Sequence, residues 1–155
     1  MKEVHRRFPT GVTVVTTCVE GRPYGLAVNA FSSISIDPPA VLVCVAQTST
    51  THPLLYASDI VAVNMLATDQ LEIAKRFAVS GGEKFAGLEW EPGSSGAPIL
   101  AGVAASLELE VERRMMAYTH TIFVGRVRDA TVSDRRPLMY LGAQFFDVDG
   151  ATALT

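Results

Sequence analysis

Short runs of β-branched and apolar residues, separated by turn-forming residues, make up most of the chain. Residues 12–19, VTVVTTCV, form one such run, and the turn-forming segment 20–23 separates it from a second extended run at residues 24–28. The pattern therefore predicts a succession of strands, the first two of which form a hairpin. The remaining predicted strands are residues 31–36, 40–46, 60–66, 104–115, 119–130 and 138–146.

Three other segments predict helices. Residues 2–8 place two apolar residues on one helical face, residues 53–57 follow a hydroxyl-rich stretch, and residues 69–79 repeat apolar side chains at helical spacing. Residues 80–98 contain many glycines and other helix breakers. They predict a long surface loop, a kind of segment that often serves a binding site.

A chain with many short strands, few helices and no regular β-α alternation favours an antiparallel barrel over a doubly wound nucleotide-binding fold. No G-x-G-x-x-G motif follows a predicted strand, so a nicotinamide nucleotide would not be held in the Rossmann manner. The length of 155 residues is typical of one domain, which we expect to span residues 1–155.

The composition is that of a soluble globular protein. Hydrophobic residues make up 48% of the chain and charged residues 19%, and a net charge of -3 gives no reason to expect nucleic-acid binding. The most apolar run, residues 40–46, is too short to cross a bilayer, and the N-terminal sequence MKEVHRRFP lacks the apolar core of a signal peptide. We therefore expect a cytoplasmic protein without membrane contact.

The cysteines and histidines do not predict a metal site. Cys18 and Cys44 each lie in an apolar run, which is typical of buried, reduced thiols. The histidines, His5, His52 and His120, are scattered and form no pair at metal-ligand spacing.

Five blocks of sequence carry a family resemblance, namely FPTGVTVVTT (8–17), GLAVNAFSSISIDPP (25–39), VCVAQTSTT (43–51), FAVSGGEKF (77–85) and HTIFVGRV (120–127). With these blocks, the chain resembles the flavin-reductase-like family of FMN-binding split barrels, which includes the small reductase components of two-component flavin monooxygenases. The resemblance implies a mainly β, antiparallel, Greek-key-like split barrel with a few short helices, and a homodimer. It also implies FMN, or alternatively FAD, as the cofactor, NADH or NADPH as the co-substrate, and a flavin-dependent monooxygenase as a partner.

The second block is predicted to hold the isoalloxazine ring. A flavin needs a slot for this ring, hydrogen-bonding groups for its polar edge, and an open face for hydride transfer. Small or amide-bearing residues at a strand end allow backbone N–H groups to approach the ring edge. The serines are also consistent with solvent-facing positions of an alternating strand. By resemblance, the cofactor contacts are Ala27, Val28, Asn29, Ala30, Ser32, Ser33 and Ala46.

A hydroxyl cluster and a basic-aromatic pair are the candidate phosphate ligands. Ser49, Thr50 and Thr51 precede a predicted helical turn, where free backbone donors favour an anion, and the resemblance places the phosphate there. An N-cap of that helix is the alternative role. Lys84 and Phe85 correspond to a pair that the family places beside the phosphate or the ring, although Lys84 is also consistent with an ordinary solvated lysine.

His120 is the candidate catalytic residue. In many family reductases a Gly-Asp-His run precedes the Ile-Phe-x-Gly-x-Val strand, and that histidine lies near the nicotinamide or the flavin. Here Tyr118 and Thr119 replace Gly-Asp, so we expect Thr119 to be unable to orient or charge the histidine as the acidic residue does.

These features lead to the hypothesis of an NAD(P)H-dependent flavin reductase that supplies reduced flavin to a partner monooxygenase. Hydride transfer between two bound cofactors needs proximity and orientation, so the absence of a recognisable catalytic triad is consistent with it. The departure at Tyr118 and Thr119 keeps open a flavin-binding electron-transfer or carrier module without efficient NAD(P)H turnover. A split barrel that uses a deazaflavin or haem is a third hypothesis.

Overall fold

A computed structural model describes residues 1–148 and confirms a mainly β fold, with 53% strand and 15% helix. The helices are α1 (Lys2–His5), α2 (His52–Ala57) and α3 (Leu71–Ala78), and a 3₁₀ turn (Thr68–Gln70) precedes α3. Residues 149–155 lie outside the described part, so one domain over residues 1–155 stays a prediction. The strands are β1 (Thr10–Gly11), β2 (Thr13–Val19), β3 (Arg22–Val28), β4 (Phe31–Ile36), β5 (Pro39–Ala46), β6 (Ile60–Met65), β7 (Trp90–Pro92), β8 (Pro98–Leu100), β9 (Ala105–Ala117), β10 (His120–Val132), β11 (Leu138–Leu141) and β12 (Gln144–Asp147).

The main sheet is antiparallel and has the order β3-β2-β6-β9-β10-β5-β4. It is not closed, which is consistent with the predicted split barrel. Two smaller sheets, β1-β11-β12 and β7-β8, lie beside it. The predicted first hairpin is confirmed: its turn residues Glu20 and Gly21 have φ values of 52° and 75°, the positive values that a tight type I′ turn requires.

β2 is buried on both faces because it lies between two cores. Val15 belongs to the barrel interior, together with Val43 of β5 and Phe123 of β10. Its neighbour Val14 points to the other side, where it packs in a second cluster that includes Phe77 of α3. A strand that is covered on both faces reads as a continuous β-branched run, which explains the pattern of residues 12–19.

The prediction of a long loop over residues 80–98 is wrong in its last part, where β7 and the start of β8 form a hairpin. The buried Asn64 of β6 holds this hairpin: its Oδ1 accepts a hydrogen bond from the Leu100 N–H at 2.8 Å, and its Nδ2 donates to the Pro98 carbonyl at 3.3 Å. Thr16 donates to the same carbonyl at 2.6 Å. The sequence of the hairpin does not indicate these bonds because the partners lie in distant strands.

A buried carboxylate fixes the turn between β7 and β8. Glu108 of β9 accepts hydrogen bonds from the N–H groups of Ser94 and Ser95 at 2.9 and 2.7 Å, and from both serine hydroxyls. A side chain at Gly93 would overlap the carboxyl group. Burial acts to raise the pKa of Glu108, but the hydrogen bonds from Ser95 and Ser94 outweigh burial and hold the pKa below its ordinary value.

Three other predicted elements differ from the structure. Residues 138–146 form the hairpin β11–β12 and not one strand, because Gly142 and Ala143 both have positive φ, 62° and 68°, and make a tight turn. The first helix is shorter than residues 2–8. The helix predicted over residues 69–79 begins as the 3₁₀ turn before α3.

Both cysteines are free, as predicted, but they are half-buried and not fully buried. Burial raises the pKa of the Cys44 thiol. None of the helices within residues 1–148 has the length and apolar character needed to span a bilayer.

Candidate functional site

Three cavities lie along β3 and the turn that follows it. The Gly25 cavity, of about 260 Å³, is bounded by β3, the start of α2 and residues 81–85. The Ala27 cavity, of about 450 Å³, is bounded by the end of β3, α3 and the β11–β12 hairpin. The α1 cavity, of about 750 Å³, is bounded by α1, residues 29–30 and the same hairpin.

The Gly25 cavity brings together residues that the sequence predicts as phosphate ligands. The Thr51 hydroxyl donates to the Gly25 carbonyl at 3.2 Å, and the Lys84 Nζ donates to the same carbonyl at 3.3 Å. Thr50 lines the cavity beside them. Thr51 therefore does not use its hydroxyl to cap α2. Instead, it fixes the start of this helix against β3, while the Ser49 hydroxyl accepts the Thr51 N–H at 3.2 Å.

Lys84 is half-buried, in contrast to an ordinary solvated lysine. Its Nζ also donates to the Phe77 carbonyl at 3.3 Å and lies 5.9 Å from the centre of the Phe77 ring. Burial lowers the pKa of Lys84. Arg22 and Glu83 line the same cavity, so the wall carries two cationic side chains and one acidic side chain. This charge and the threonine hydroxyls suit an anionic group.

Phe85 connects the Gly25 cavity to the second core. Its ring meets the Phe77 ring edge to face, with centroids 5.1 Å apart, and the Trp90 ring with centroids 5.9 Å apart. Aromatic pairs in this geometry hold one another in fixed orientations. The β7–β8 hairpin, which carries Trp90, therefore supports the wall of the cavity.

The Ala27 cavity is a narrow apolar slot with aromatic side chains at one side. Tyr140 and Phe145 of the β11–β12 hairpin have ring centroids 5.1 Å apart, and both line the slot. Small side chains on the opposite walls leave room for a planar ring system. They belong to β3, to α3 and to the residue that directly follows α3, and include Ala27, Val28, Ala74, Ala78 and Val79.

The α1 cavity adjoins this slot, because Asn29, Tyr140 and Ala143 line both. Its outer wall is basic and aromatic and consists of Lys2, His5, Arg6 and Phe8. Asn29 is exposed, and its side-chain amide makes no hydrogen bond to any other residue among 1–148. The amide is thus available to a ligand at the boundary of the two cavities.

Four predicted cofactor residues line none of these three cavities. Ser32 and Ser33 are exposed on β4, and the Ser32 hydroxyl donates to the Ser33 carbonyl at 3.2 Å. Ser49 lies behind Thr51, and Ala46 is half-buried at the end of β5. The structure therefore brings together Ala27, Val28, Asn29 and Ala30 in one group and Thr50, Thr51, Lys84 and Phe85 in another, and places the remaining four outside both.

His120 is exposed at the start of β10, opposite Ala46 of β5, and lies outside the three cavities. Its Nδ1 is 2.9 Å from the Thr119 hydroxyl. A hydroxyl can accept or donate this bond but supplies no charge, so the expectation that Thr119 cannot orient and charge the histidine as the acidic residue does stays a prediction. The Cys44 N–H donates to the Ala30 carbonyl at 3.0 Å, so His120 lies at the same end of the sheet as Ala30.

Several cavity residues have no recognisable signal in the sequence. Ala74 lies on an amphipathic helix and Val79 directly follows that helix, so both resemble ordinary packing residues, and Tyr140 is typical of strand packing. Phe8 and Arg22 come from two separate segments that meet the cavities only through the fold. The positive φ of Gly142 gives the tight turn that returns β12 beside β11 and brings Phe145 to Tyr140, and a Leu-Gly-Ala-Gln sequence is a weak signal for such a turn.

The dimensions and chemistry of the cavities fit a flavin. At the rise of a strand, Gly25 lies about 7 Å from Ala27 and about 13 Å from Asn29. This is the order of span that a ribityl arm bridges between a phosphate in the Gly25 cavity and a ring in the Ala27 cavity. In addition, the backbone at Gly25 lies so close to the surrounding residues that there is no room for a Cβ, which explains the glycine at this position.

Comparison with known proteins gives a consistent assignment. The model of the flavin reductase like domain family matches residues 5–149. The stachydrine N-demethylase reductase subunit Stc3 of Rhizobium meliloti is 36% identical over 94% of this chain and 64% of its own length. The FMN reductase (NADH) SmoA of Agrobacterium fabrum is 38% identical over 89% of this chain and 79% of its own length.

A solved structure agrees with these relatives. The Streptomyces globisporus NADH:FAD oxidoreductase SgcE6, in complex with NAD and FAD fragments, has a TM-score of 0.89 and 38% identity, covering 96% of this chain and 92% of its own. The chain spans less than two thirds of the length of Stc3, so it corresponds to a part of that relative. From the family match over nearly all its length, the chain belongs to the flavin reductase like domain family.

Proposed function

We propose that the protein is an NAD(P)H-dependent flavin reductase that supplies reduced flavin to a monooxygenase. The observation that carries this proposal is the series of three cavities along β3, with a cationic, hydroxyl-bearing end and an apolar slot beside a larger cavity. The similarity to SmoA, an NADH-dependent FMN reductase, and to SgcE6, an NADH:FAD oxidoreductase, supports the same activity.

The residues have separate roles in this function. Lys84, Thr50 and Thr51 bind the flavin phosphate in the Gly25 cavity, and Asn29 with the small residues of β3 binds the edge of the ring. A flavin held by these residues would supply the acceptor for a hydride from reduced nicotinamide. The protein contributes the relative position and orientation of the two cofactors, which can lower the activation barrier by several kcal/mol. No side chain needs to act as a strong acid or base.

His120 is the proposed catalytic residue. It lies at the end of the sheet that carries Ala30, and Thr119 holds its Nδ1. We expect His120→Ala to lower kcat for NADH and to leave flavin affinity unchanged, whereas Thr119→Ala lowers kcat less. A His120→Ala enzyme with the kcat of the wild type would remove the histidine from the mechanism.

The protein is proposed to act as a homodimer. The outer face of β5 and β10 carries half-buried apolar side chains, namely Leu42, Cys44, Ile122 and Val124, and Met115 of the adjacent β9 is 50% exposed. Partly exposed apolar side chains on neighbouring strands form a self-complementary surface of the kind that symmetric dimers bury. Size measurement in solution tests this: Val124→Asp should give monomers, and a monomeric wild type would contradict the proposal.

A partner monooxygenase is proposed on the basis of Stc3, which is the reductase subunit of an N-demethylase. Reduced flavin would pass to the oxygenase as the product of this protein. The purified reductase, mixed with a candidate oxygenase encoded nearby, should support substrate oxidation with NADH, and the same mixture without NADH should not.

Steady-state NADH and NADPH oxidation, with FMN or FAD added, is the central experiment. We expect the protein to oxidise NADH or NADPH much faster than free flavin alone does. The relative rates with each nucleotide and each flavin identify the preferred pair. Flavin binding without turnover would instead support the carrier module. The absorption spectrum of the purified protein separates a flavin from a deazaflavin or haem.

The flavin-binding residues are tested by titration. Asn29→Ala and the double variant Ser49→Ala/Thr51→Ala should weaken flavin binding. Ser32→Ala provides a contrast, because Ser32 is predicted to contact the cofactor but lies outside the cavities. Unchanged affinity in both of the first two variants would show that the flavin binds elsewhere.

A further inference from the structure

His52 begins α2 but lines none of the three cavities. Its imidazole is half-buried, and its Nε2 lies 2.8 Å from the hydroxyl oxygen of Thr121, a fully buried residue of β10. Both partners are neighbours of proposed functional residues, because His52 directly follows Thr51 and Thr121 directly follows His120. The bond therefore joins the phosphate end of the proposed flavin site to the start of β10.

We propose that His52 is a positioning residue that transmits the binding of the flavin phosphate to His120. This inference rests on the proposed reductase function and on His120 as its catalytic residue. A phosphate bound in the Gly25 cavity fixes the start of α2. The His52–Thr121 bond then fixes the first residues of β10 and, with them, the backbone that carries His120. Binding energy from the phosphate, which takes no part in hydride transfer, is thereby used to orient the reacting end of the site.

The segment between β5 and α2 makes a second connection to the same end of β10. The Gln47 N–H donates to the Thr119 carbonyl at 3.0 Å, and the Gln47 Nε2 donates to the His120 carbonyl at 3.2 Å. The peptide groups before and after His120 are thus both bonded to Gln47. A displacement of residues 47–52 therefore displaces the backbone of His120.

Aromatic rings hold the His52 imidazole in one orientation. Its centroid lies 5.8 Å from that of Tyr56 and 6.0 Å from that of Phe123, and the rings of Tyr56 and Phe123 meet edge to face at 6.3 Å. Phe123 is buried and belongs to the barrel interior. A hydrogen bond in apolar surroundings is stronger than one in water and has few alternative partners. The bond to Thr121 is therefore suited to transmit a displacement of α2 to β10.

The other end of α2 is held by different partners. The hydroxyl of the buried Thr17 of β2 lies 2.9 Å from both the Ser58 hydroxyl and the Ile60 carbonyl. Arg114 of β9 donates to the Ser58 carbonyl at 2.7 Å. These contacts anchor the same helix without reaching the start of β10, so they provide a control for effects on stability alone.

Four substitutions test the link. His52→Leu keeps an apolar side chain of similar size beside Phe123 but removes the ring nitrogen, and Thr121→Val removes only the hydroxyl. His52→Gln is the conservative variant, because its amide atoms lie as far along the side chain as Nε2 does. Thr17→Val is the matched control, since it removes a buried hydroxyl at the opposite end of α2. For each variant, kcat and KM for NADH are measured at saturating FMN and at saturating riboflavin, which lacks the phosphate.

With FMN, His52→Leu and Thr121→Val should each lower kcat about twofold to tenfold, the fold-change that corresponds to one intramolecular hydrogen bond. With riboflavin, kcat of the wild type should be lower by a similar factor, and neither substitution should lower it further, because no phosphate is bound. His52→Gln should recover most of the kcat with FMN. Thr17→Val should keep the wild-type kcat with both flavins.

A double-mutant cycle tests whether His52 acts through His120. In a His120→Ala background, His52→Leu should lower kcat no further, because the residue that it positions is absent. A merely structural role would give the same loss in both backgrounds. The inference is overturned by additive losses, by the same loss with riboflavin as with FMN, or by a wild-type kcat in His52→Leu with FMN.

A measurement without turnover separates this inference from the proposed function. The chain has three histidines, so the ring signal of His120 can be assigned by NMR from the spectrum of His120→Ala. FMN should shift this signal more than riboflavin does in the wild type, and the two shifts should be equal in His52→Leu. This result in a protein that does not oxidise NADH would contradict the reductase function and support the link. Equal shifts in the wild type would overturn the link, even in an active reductase.

Discussion

Gly25 is the residue whose replacement tests most directly how the fold holds the proposed flavin site. A Cβ at this position would lie 2.9 Å from Phe77 Cε1, 3.0 Å from the Val15 carbonyl oxygen and 3.1 Å from Thr16 Cγ2. Carbon atoms in contact prefer about 3.5–4.0 Å. The Phe77 ring can turn aside only within a packed core, and the Val15 carbonyl belongs to the neighbouring strand of the ladder. Gly25→Ala must therefore push β3 away from β2 or displace the ring.

We expect Gly25→Ala to lower the free energy of unfolding by about 1–3 kcal/mol, the usual cost of overpacking. This corresponds to a fall in Tm of about 2–12 °C for a chain of this size. Flavin affinity should fall as well, because the Gly25 carbonyl accepts the bonds of Thr51 and Lys84 at 3.2 and 3.3 Å. These bonds are already long and would be lost after a small shift. Urea unfolding and FMN fluorescence titration measure the two effects.

Gly11→Ala is the matched control, because a Cβ at Gly11 meets nothing within 4 Å. Adding Phe77→Leu to Gly25→Ala removes the closest contact, so a double-mutant cycle should show a favourable coupling of about 0.5 kcal/mol or more. If Gly25→Ala were as stable as the wild type and bound FMN equally well, the close packing of β3 on Phe77 and its link to the phosphate residues would both be refuted.

Three further substitutions test the polar groups of the fold and the site. Asn64→Leu should lower the free energy of unfolding by about 2–5 kcal/mol in urea titration, because it leaves buried groups without hydrogen-bond partners; a loss below about 1 kcal/mol would show that the β8 bonds are weak. Folding lowers the pKa of Glu108 below the value of about 4.3 that it has in the unfolded chain. The ionised carboxylate therefore stabilises the fold at a pH above that value, and this stabilisation is lost as the pH falls through the pKa of the folded state. The stability difference between the wild type and Glu108→Gln should accordingly shrink from pH 7 to pH 3, and Glu110→Gln, at an exposed ion pair, should show little difference at either pH. Lys84→Met should raise the Kd for FMN about tenfold to a hundredfold, because the substitution removes the free energy of a charge-assisted hydrogen bond to the phosphate. An unchanged Kd would place the phosphate outside the Gly25 cavity.

The strands were predictable because apolar burial has a simple signature in the sequence. β2 is covered on both faces and appears as an unbroken β-branched run, and β5 alternates buried and half-buried positions from Val41 to Ala46. Asn29 and Thr51 could be singled out from the sequence because they lie in segments that resemble a known family, and the structure places each of them in a cavity wall. Their role in flavin binding stays a prediction.

Glu108 shows why other parts of the structure were not predictable. Along β9 it alternates with apolar residues, as Glu110 and Glu112 do, and all three carboxylates read as solvent-facing. Only Glu108 among them is buried, because the turn at Ser94 and Ser95 folds over it and supplies four hydrogen-bond donors. A local pattern cannot indicate a partner that arrives from a separate hairpin.

The contacts around Ala30 relate the α1 cavity to the end of the sheet that carries His120, the proposed catalytic residue. Ala30 lines the α1 cavity, and its carbonyl is bonded to Cys44, two residues before Ala46, which pairs with His120. The α1 cavity is therefore bounded by α1 on one side and, on the other, by Ala30 near the end of the sheet that carries His120. A group near the nicotinamide acts on the reaction and not on flavin binding, so the proposed role of His120 predicts that His120→Ala loses kcat and keeps its flavin affinity. Under the same proposal, the Thr119 hydroxyl, 2.9 Å from the His120 Nδ1, is the group that orients the imidazole, and it adds no charge.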